Sequence, residues 1–366
     1  GNPPFGHFGE AALVKWAEDN LESYAKDLRL DYAAIKPLLT DFYEFDGNPQ
    51  GIRIVSRLHC EKDEFALNLT VPSLLSAGKY ARTSGEEKAG RKIRKKAGYF
   101  KSEEAQIEKA YRLIGWPKGF RYPLTYIMEA ADDISYCLSD VSDAIAKGII
   151  TPAEFLKEFH EMWEQKYGSE EIPVKSLAEK ESVRDFGVEI CIEISHRAVE
   201  AAAEAFVRRY DAFCDSSAEE LITEDMPMGR VLNVIKDFSV KRIYQSKEAE
   251  SIELSGYAVI SGLLERYFGR LLKLPRAEFE AFVAGKKVGG RAYEQHLFNR
   301  LSKRCLKSYQ NQLKEWFADD DAVRLYGPDG LEWWLRVHLI VDHVSAMTDD
   351  FALFEYQMFE GIRINN

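Results

Sequence analysis

Apolar residues recur at helical spacing along most of this chain. Leu13, Val14, Ala17, Leu21, Tyr24, Ala25 and Leu28 share one side of a helix that starts near Gly9. Asp46-Gly47-Asn48-Pro49 is a turn signal, after which helix resumes near Gly51 and runs towards Cys60. Phe65, Leu67 and Leu69 alternate, which leaves 61–70 ambiguous between strand and helix. The segment 79–98 is polar and basic and reads as a mobile loop. Pro123 to about Gly148 predicts a strong helix with proline in its first turn. Thr151-Pro152-Ala153-Glu154 opens another. Further helices are expected over 182–214, 229–246, 254–272, 275–284 and 293–318. After a break at Tyr326-Gly327-Pro328-Asp329-Gly330 come two more, over 331–347 and 350–359. No repeat and no low-complexity linker interrupts this pattern. The fold class is therefore all-α, with short connections.

The 366 residues are 46% hydrophobic and 30% charged, the balance of an ordinary globular protein able to bury a large core. The longest apolar run, Val337 to Val344, is interrupted by His338, Asp342 and His343, so no membrane span is expected. Five cysteines, widely spaced and without a C-x-x-C pair, read as reduced thiols of a cytoplasmic protein. A net charge of −11 argues against coating by nucleic acid, so an anionic ligand would depend on local cations. The densest source is Arg91-Lys92-Ile93-Arg94-Lys95-Lys96, for which a solvated loop is the plainer reading. P-loop and dinucleotide-binding fingerprints are absent from the sequence.

Two constellations could carry chemistry. His7 and Glu10 stand one helical turn apart at a helix entrance. A carboxylate there would fix the tautomer of the imidazole and raise its basicity, as a general acid requires. A capping histidine with a dipole-favoured first-turn glutamate is the ordinary alternative. Asp132, Tyr136 and Asp140 lie at i, i+4 and i+8 on one helix, where aligned carboxylates are costly to bury unless paired or bound to a cation. An exposed acidic face shared with Asp133 and Asp143 is the ordinary alternative here. The histidines His59, His160, His196, His296, His338 and His343 show no metal-ligand spacing and read as packing or surface residues.

Five strings, in order, carry a resemblance to a known family. They are Gly1-Asn2-Pro3-Pro4-Phe5-Gly6-His7-Phe8-Gly9-Glu10, Phe45-Asp46-Gly47-Asn48-Pro49-Gln50-Gly51-Ile52-Arg53, Lys79-Tyr80, Glu129-Ala130-Ala131-Asp132-Asp133-Ile134-Ser135-Tyr136 and Asp342-His343-Val344-Ser345-Ala346-Met347-Thr348-Asp349. Together they resemble the deoxyguanosine triphosphate triphosphohydrolase family of the HD superfamily. The resemblance implies an HD-like multi-helix bundle with additional C-terminal helices. Residues 1–150 would form the catalytic core, and 151–366 would pack on it and complete the nucleotide pocket. It also implies a divalent metal, Mg²⁺ or Mn²⁺, with Asp132 as the fourth ligand. The other three, an upstream His and a His-Asp pair, are expected to stand before Gly1.

Under the same resemblance His7 is the general acid, with Glu10 orienting its ring. Lys79 meets the phosphates and Tyr80 follows it into the site. Tyr136 packs on the deoxyribose and closes the space of a 2′-hydroxyl, while Asp140 accepts from the 3′-hydroxyl. Tyr244 and Glu253 fall in a base-recognition region, where a glutamate could accept from N1–H and the N2 amine of guanine together. Asn2, in place of a second histidine, matches the guanine-preferring branch. The implied reaction cuts dGTP, or another dNTP, into deoxynucleoside and tripolyphosphate. A homo-oligomer is implied too, with a nucleotide or single-stranded DNA as effector. Two other readings stay open: a deoxynucleotide-binding sensor or scaffold without catalysis, and an HD phosphohydrolase acting on nucleoside monophosphates or cyclic nucleotides.

Overall fold

The computed structural model describes residues 3–60, 65–88, 90–178 and 190–362. Among them are eighteen α-helices and no strand beyond one isolated bridge, Thr83 to Tyr99, so the chain is all-α. None of these helices is long and apolar enough to cross a membrane. All five cysteines are unbridged. Asn2 and the first part of the expected 182–214 helix lie outside the described residues.

Two compact units divide the chain. One joins residues 1–118 to 253–366, and the other is 119–252. The helices from Glu253 onward thus pack with the first 118 residues, and neither unit coincides with a division at residue 150.

The first unit contains α1 (Gly6–Asp27), α2 (Tyr32–Tyr43), α3 (Gly47–Arg53), α4 (Val71–Ser76) and α5 (Lys101–Leu113). The second contains α6 (Pro123–Ala146), α7 (Pro152–Tyr167), α8 (Lys175–Ala178), α9 (Cys191–Arg208), α10 (Tyr210–Cys214) and α11 (Pro227–Arg242). The division at Glu253 falls inside α12 (Lys247–Leu271). The first unit then resumes with α13 (Arg276–Val283), α14 (Ala292–Arg300), α15 (Lys303–Phe317), α16 (Asp320–Tyr326), α17 (Pro328–Ser345) and α18 (Asp349–Phe359).

Helix α17 is the centre of the first unit, with every residue from Gly330 to Ser345 buried. The polar residues that interrupt its apolar run each find a buried partner, as burial in a low-dielectric core demands. His338 Nε2 lies 2.9 Å from Asp41 Oδ2. Asp342 receives the Arg53 guanidinium at 2.8 Å and 2.9 Å and the Gln50 amide at 3.1 Å. Arg53 reaches on to Glu103 at 2.8 Å and Gln312 at 3.0 Å. Two of the sequence strings, 45–53 and 342–349, therefore meet as a buried ion network in the core.

His343 accepts the Ser302 N–H at Nδ1, 3.3 Å away, and its Nε2 meets the Tyr267 hydroxyl at 3.3 Å. Burial, outweighing the nearby Glu355 carboxylate, pushes its pKa down to about 4 from an ordinary 6.5. The native state therefore prefers the neutral ring, and the unfolded chain binds the proton first. Stability from this site is present above pH 6.5 and lost as pH falls from there towards 4, by about 3 kcal/mol in all. Denaturant titrations of wild type and His343→Gln across that window should show a steeper acid loss in wild type. Equal slopes would remove His343 from the account.

The second unit packs α6, α7, α9 and α11 around Phe155, Phe159, Trp163 and Phe238. Helix α7 starts on a capping box, in which Thr151 accepts the Glu154 N–H and the Glu154 carboxylate accepts the Thr151 N–H.

The 79–98 segment corrects the expectation of a mobile loop. Arg82 is buried, donating to the Arg94, Thr83 and Glu86 carbonyls at 2.9, 3.1 and 3.2 Å and pairing with Glu44 at 2.7 Å. Ser84 donates to Asp41, and Ile93 is fully buried. The Tyr80 carbonyl sits where a Cβ on Gly98 would stand, 1.8 Å away, so only glycine lets the segment close on itself.

Candidate active site

The N-terminal string forms a tight entrance to α1. Phe5 adopts a left-handed backbone (φ 60°), and its N–H donates to Asp349 Oδ1 at 2.9 Å, tying this string to the 342–349 string. Gly9 lets the chain fold back, since a Cβ there would come within 2.1 Å of the Pro4 carbonyl oxygen. The result holds His7 exposed on the first turn of α1 and Glu10 buried one turn on.

Glu10 Oε1 accepts the Gly47 N–H at 2.9 Å. Gly47 is the first residue of α3, and Asp46 caps that helix by accepting the Asn48 N–H at 2.9 Å. The turn signal at 46–49 is thus a helix start. A carboxylate at such an end meets an unsatisfied N–H and the positive end of the helix dipole. Lys96 donates to the other Asp46 oxygen.

The two carboxyls are pushed apart by their surroundings. Burial, then the neighbouring Asp46 charge, raises Glu10 above the usual carboxylate range. Asp46 is also raised by burial, but hydrogen bonds from Lys96 and Asn48 outweigh this and hold it below that range. Such a split pair is a recurrent mark of acid–base sites. Among the described residues the Glu10 hydrogen bond goes to Gly47 and not to His7, so its influence on the imidazole is electrostatic.

His7, Glu10, Asp46 and Lys96 line one cavity of about 480 Å³, together with Lys15, Lys88, Lys95 and Arg82. Glu18 and Glu44 line it too. Lys15, Arg82 and Lys96 are paired with Asp19, Glu44 and Asp46, so Lys88 and Lys95, which take no ion pair among the described residues, are the cations left to meet an anionic ligand in this cleft, beside the exposed imidazole. Lys79 and Tyr80 are half-buried and do not line it, although the Tyr80 hydroxyl acts on Lys96 electrostatically. The sequence reading missed Lys96 and Asp46 as site residues. Lys96 stood within the basic run, and Asp46 within a matched string, without a stated role.

The second unit holds the acidic stripe. Tyr244, following α11, donates to Asp140 on α6. The Tyr136 ring lies 6.5 Å from the Tyr244 ring at 37°. Burial raises Asp140, against hydrogen bonds from both tyrosines, and burial followed by the Asp140 contact raises Tyr244. Sequence reasoning gave Tyr136 and Asp140 to the sugar and Tyr244, with Glu253, to the base; the fold puts Tyr244 in contact with Asp140. Asp132 is exposed one turn before Tyr136, while its neighbour Asp133 pairs with Lys236 at 2.8 Å. Glu253 is half-buried on α12, in the first unit.

These residues do not make a metal site by themselves. Among the described residues no group of three His, Cys, Asp or Glu side chains could hold a metal ion, and Asp132 offers one carboxylate where a catalytic metal takes several ligands.

No family model matches the chain. Comparison with known proteins does find a relative in Pseudomonas aeruginosa, named a probable deoxyguanosinetriphosphate triphosphohydrolase. It is 31% identical over 395 residues, spanning 99% of this chain and 76% of that protein.

Proposed function

This chain belongs to the deoxyguanosinetriphosphate triphosphohydrolase family, and from that premise we propose that it hydrolyses a deoxynucleoside triphosphate, dGTP foremost, between the 5′ oxygen and the α-phosphorus. The products are then a deoxynucleoside and intact tripolyphosphate. The observation that carries the reading is the cleft of the first unit, where an exposed His7 stands beside a raised Glu10, with Lys88, Lys95 and Lys96 in the same lining.

In this reading water forms the new bond to the α-phosphorus as the bond to the 5′ oxygen breaks. His7 gives that oxygen its proton, and the proton released by water returns to the imidazole through solvent. Glu10, anchored on Gly47, steadies the imidazolium electrostatically. The cleft lysines neutralise the phosphate tail, with Lys79, outside the cleft lining, meeting it from the neighbouring segment and Tyr80 following Lys79. Tyr136 lies against the sugar, with Asp140, already held by Tyr244, accepting from the 3′-hydroxyl. Glu253 reads guanine. A divalent cation, Mg²⁺ or Mn²⁺, belongs to the same proposal, with Asp132 on α6 as a ligand.

The test is the nucleoside product. Incubated with dGTP and Mg²⁺ or Mn²⁺, the full-length protein should release deoxyguanosine, separated by chromatography, and no dGDP or dGMP. Accumulation of either nucleotide would refute the reading. Within the same assay Tyr136→Ala should narrow the preference for dGTP over GTP, roughly 10–200-fold being the scale of a steric pocket. An unchanged ratio would free Tyr136 from that role.

A further inference from the structure

The turn that leads into α1 is strained, and the strain is held from outside it. The Gly6 N–H donates to the Pro3 carbonyl at 3.1 Å and closes a four-residue turn. Phe5 takes the third place of that turn with φ 60° and ψ 22°, in the left-handed region where glycine or asparagine is the rule. A bulky residue in that region is an outlier, and it persists only where its surroundings enforce it.

Two contacts from far along the chain do so, both inside the first unit. The Phe5 N–H donates to Asp349 Oδ1 at 2.9 Å, across 344 positions. The Phe5 side chain sits against α12 at the buried Gly256, where a Cβ would stand 2.3 Å from Phe5 Cβ and 2.4 Å from its Cγ. Glycine weakens a helix interior, so helix propensity does not account for Gly256, whereas the seat of Phe5 does.

His7 follows two residues later, exposed and in the cleft lining. Among the described residues no hydrogen bond holds its imidazole, and the neighbouring Glu10 is bonded to Gly47 instead. The place of the ring is therefore set by the backbone that carries it.

We propose that Asp349 and Gly256 are positioning residues for His7: together they pin Phe5 in its strained turn and so aim the imidazole into the cleft. This rests on His7 being the acid of the proposed hydrolysis. It gives Asp349, the end of the 342–349 string, a part at a cleft that it does not line.

Asp349→Ala removes the acceptor, whereas Asp349→Asn keeps an oxygen that can take the Phe5 N–H. Gly256→Ala drives a methyl group into Phe5, yet alanine is the better helix former, so a loss there does not come from a weaker α12. In the full-length protein Asp349→Ala and Gly256→Ala should each lower kcat for dGTP by roughly 10–100-fold with KM little changed, the scale of a misplaced reacting group. Asp349→Asn should restore most of the rate. On dGTP with sulfur at the bridging 5′ position, whose thiolate leaves without a proton, both lossy variants should stay close to wild type. Equal losses on the oxygen and sulfur substrates, or no loss on either, would overturn the positioning role.

A measurement without turnover keeps this failure apart from that of the acid assignment. The ¹H–¹³C NMR signal of the His7 ring, identified by its absence in His7→Gln, should move in Asp349→Ala and Gly256→Ala and stay in place in Asp349→Asn. An unmoved signal overturns the proposal whatever the rates. A signal that moves as expected supports the positioning, even where equal losses in His7→Gln on both substrates place the failure in the acid assignment.

Discussion

Replacing His7 by Gln should lower kcat for dGTP by about 10²–10⁴, the usual contribution of a positioned general acid. The fold should survive the change, because His7 is exposed and the core around α1 is built from Leu13, Trp16, Ala17 and Leu21 further along the helix. A loss of rate alone would not separate an acid from a binding residue. The leaving group separates them. The departing 5′ alkoxide is a strong base and needs a proton, whereas a thiolate in the same position leaves without one. With dGTP carrying sulfur at the bridging 5′ position, His7→Gln should lose little rate relative to wild type. Equal losses on oxygen and sulfur substrates would show that His7 donates no proton in the rate-limiting step.

The second large effect concerns stability. Arg53→Met should destabilise the first unit by about 3–5 kcal/mol, the cost of breaking a buried ion pair from one side. The guanidinium is fully enclosed and serves Asp342, Glu103, Ser102 and Gln312 at once. Its removal strands two carboxylates in the core, and Glu103, already raised by burial, loses the charge that opposes that shift. Arg53→Lys should recover part of the loss, since an ammonium restores the charge without the planar fork. Denaturant unfolding of the three proteins reads these differences. A midpoint shift for Arg53→Met worth less than about 1 kcal/mol, as at an ordinary surface site, would contradict the buried-network assignment. The same variant should also reduce activity, because α3 carries the Gly47 N–H that anchors Glu10.

Much of this could be read from the sequence where local pattern governs. Helices α6 and α7 carry their own start signals, Pro123 and the Thr151–Glu154 capping box, and both form as expected. Helix α2 escaped notice because its pattern is short and Pro37 lies inside it. The expected single helix over 293–318 breaks at Leu301, which is extended (φ −60°, ψ 141°), before Ser302 donates to His343. That break depends on a contact with a residue 41 positions away, and no local window records it.

The same limit explains the misreading of 79–98 and the silence on two matched strings. The 79–98 segment looks like a solvated loop because order comes to it from single polar contacts, Arg82 to Glu44 and Ser84 to Asp41, which have no period. The matched strings 45–53 and 342–349 had no stated role, and their partnership, Arg53 with Asp342 across 289 positions, lies beyond any local window. For the candidate site, the sequence contained the His7–Glu10 pair and the Tyr136–Asp140 stripe, while the contact of Tyr244 with Asp140 appears only in the fold. The sequence was silent on Asp46 and Lys96, whose split with Glu10 arises only when α3 and the basic run meet α1.

The most direct measurement follows the oxygen of water. Hydrolysis of dGTP in H₂¹⁸O by the full-length protein, read by ³¹P NMR, should place one ¹⁸O on a terminal phosphorus of tripolyphosphate and none in deoxyguanosine. Label in orthophosphate or pyrophosphate would mean that a phosphoanhydride bond is cut instead, and label in the nucleoside would mean attack at carbon. Either result would contradict attack at the α-phosphorus with departure of the 5′ oxygen.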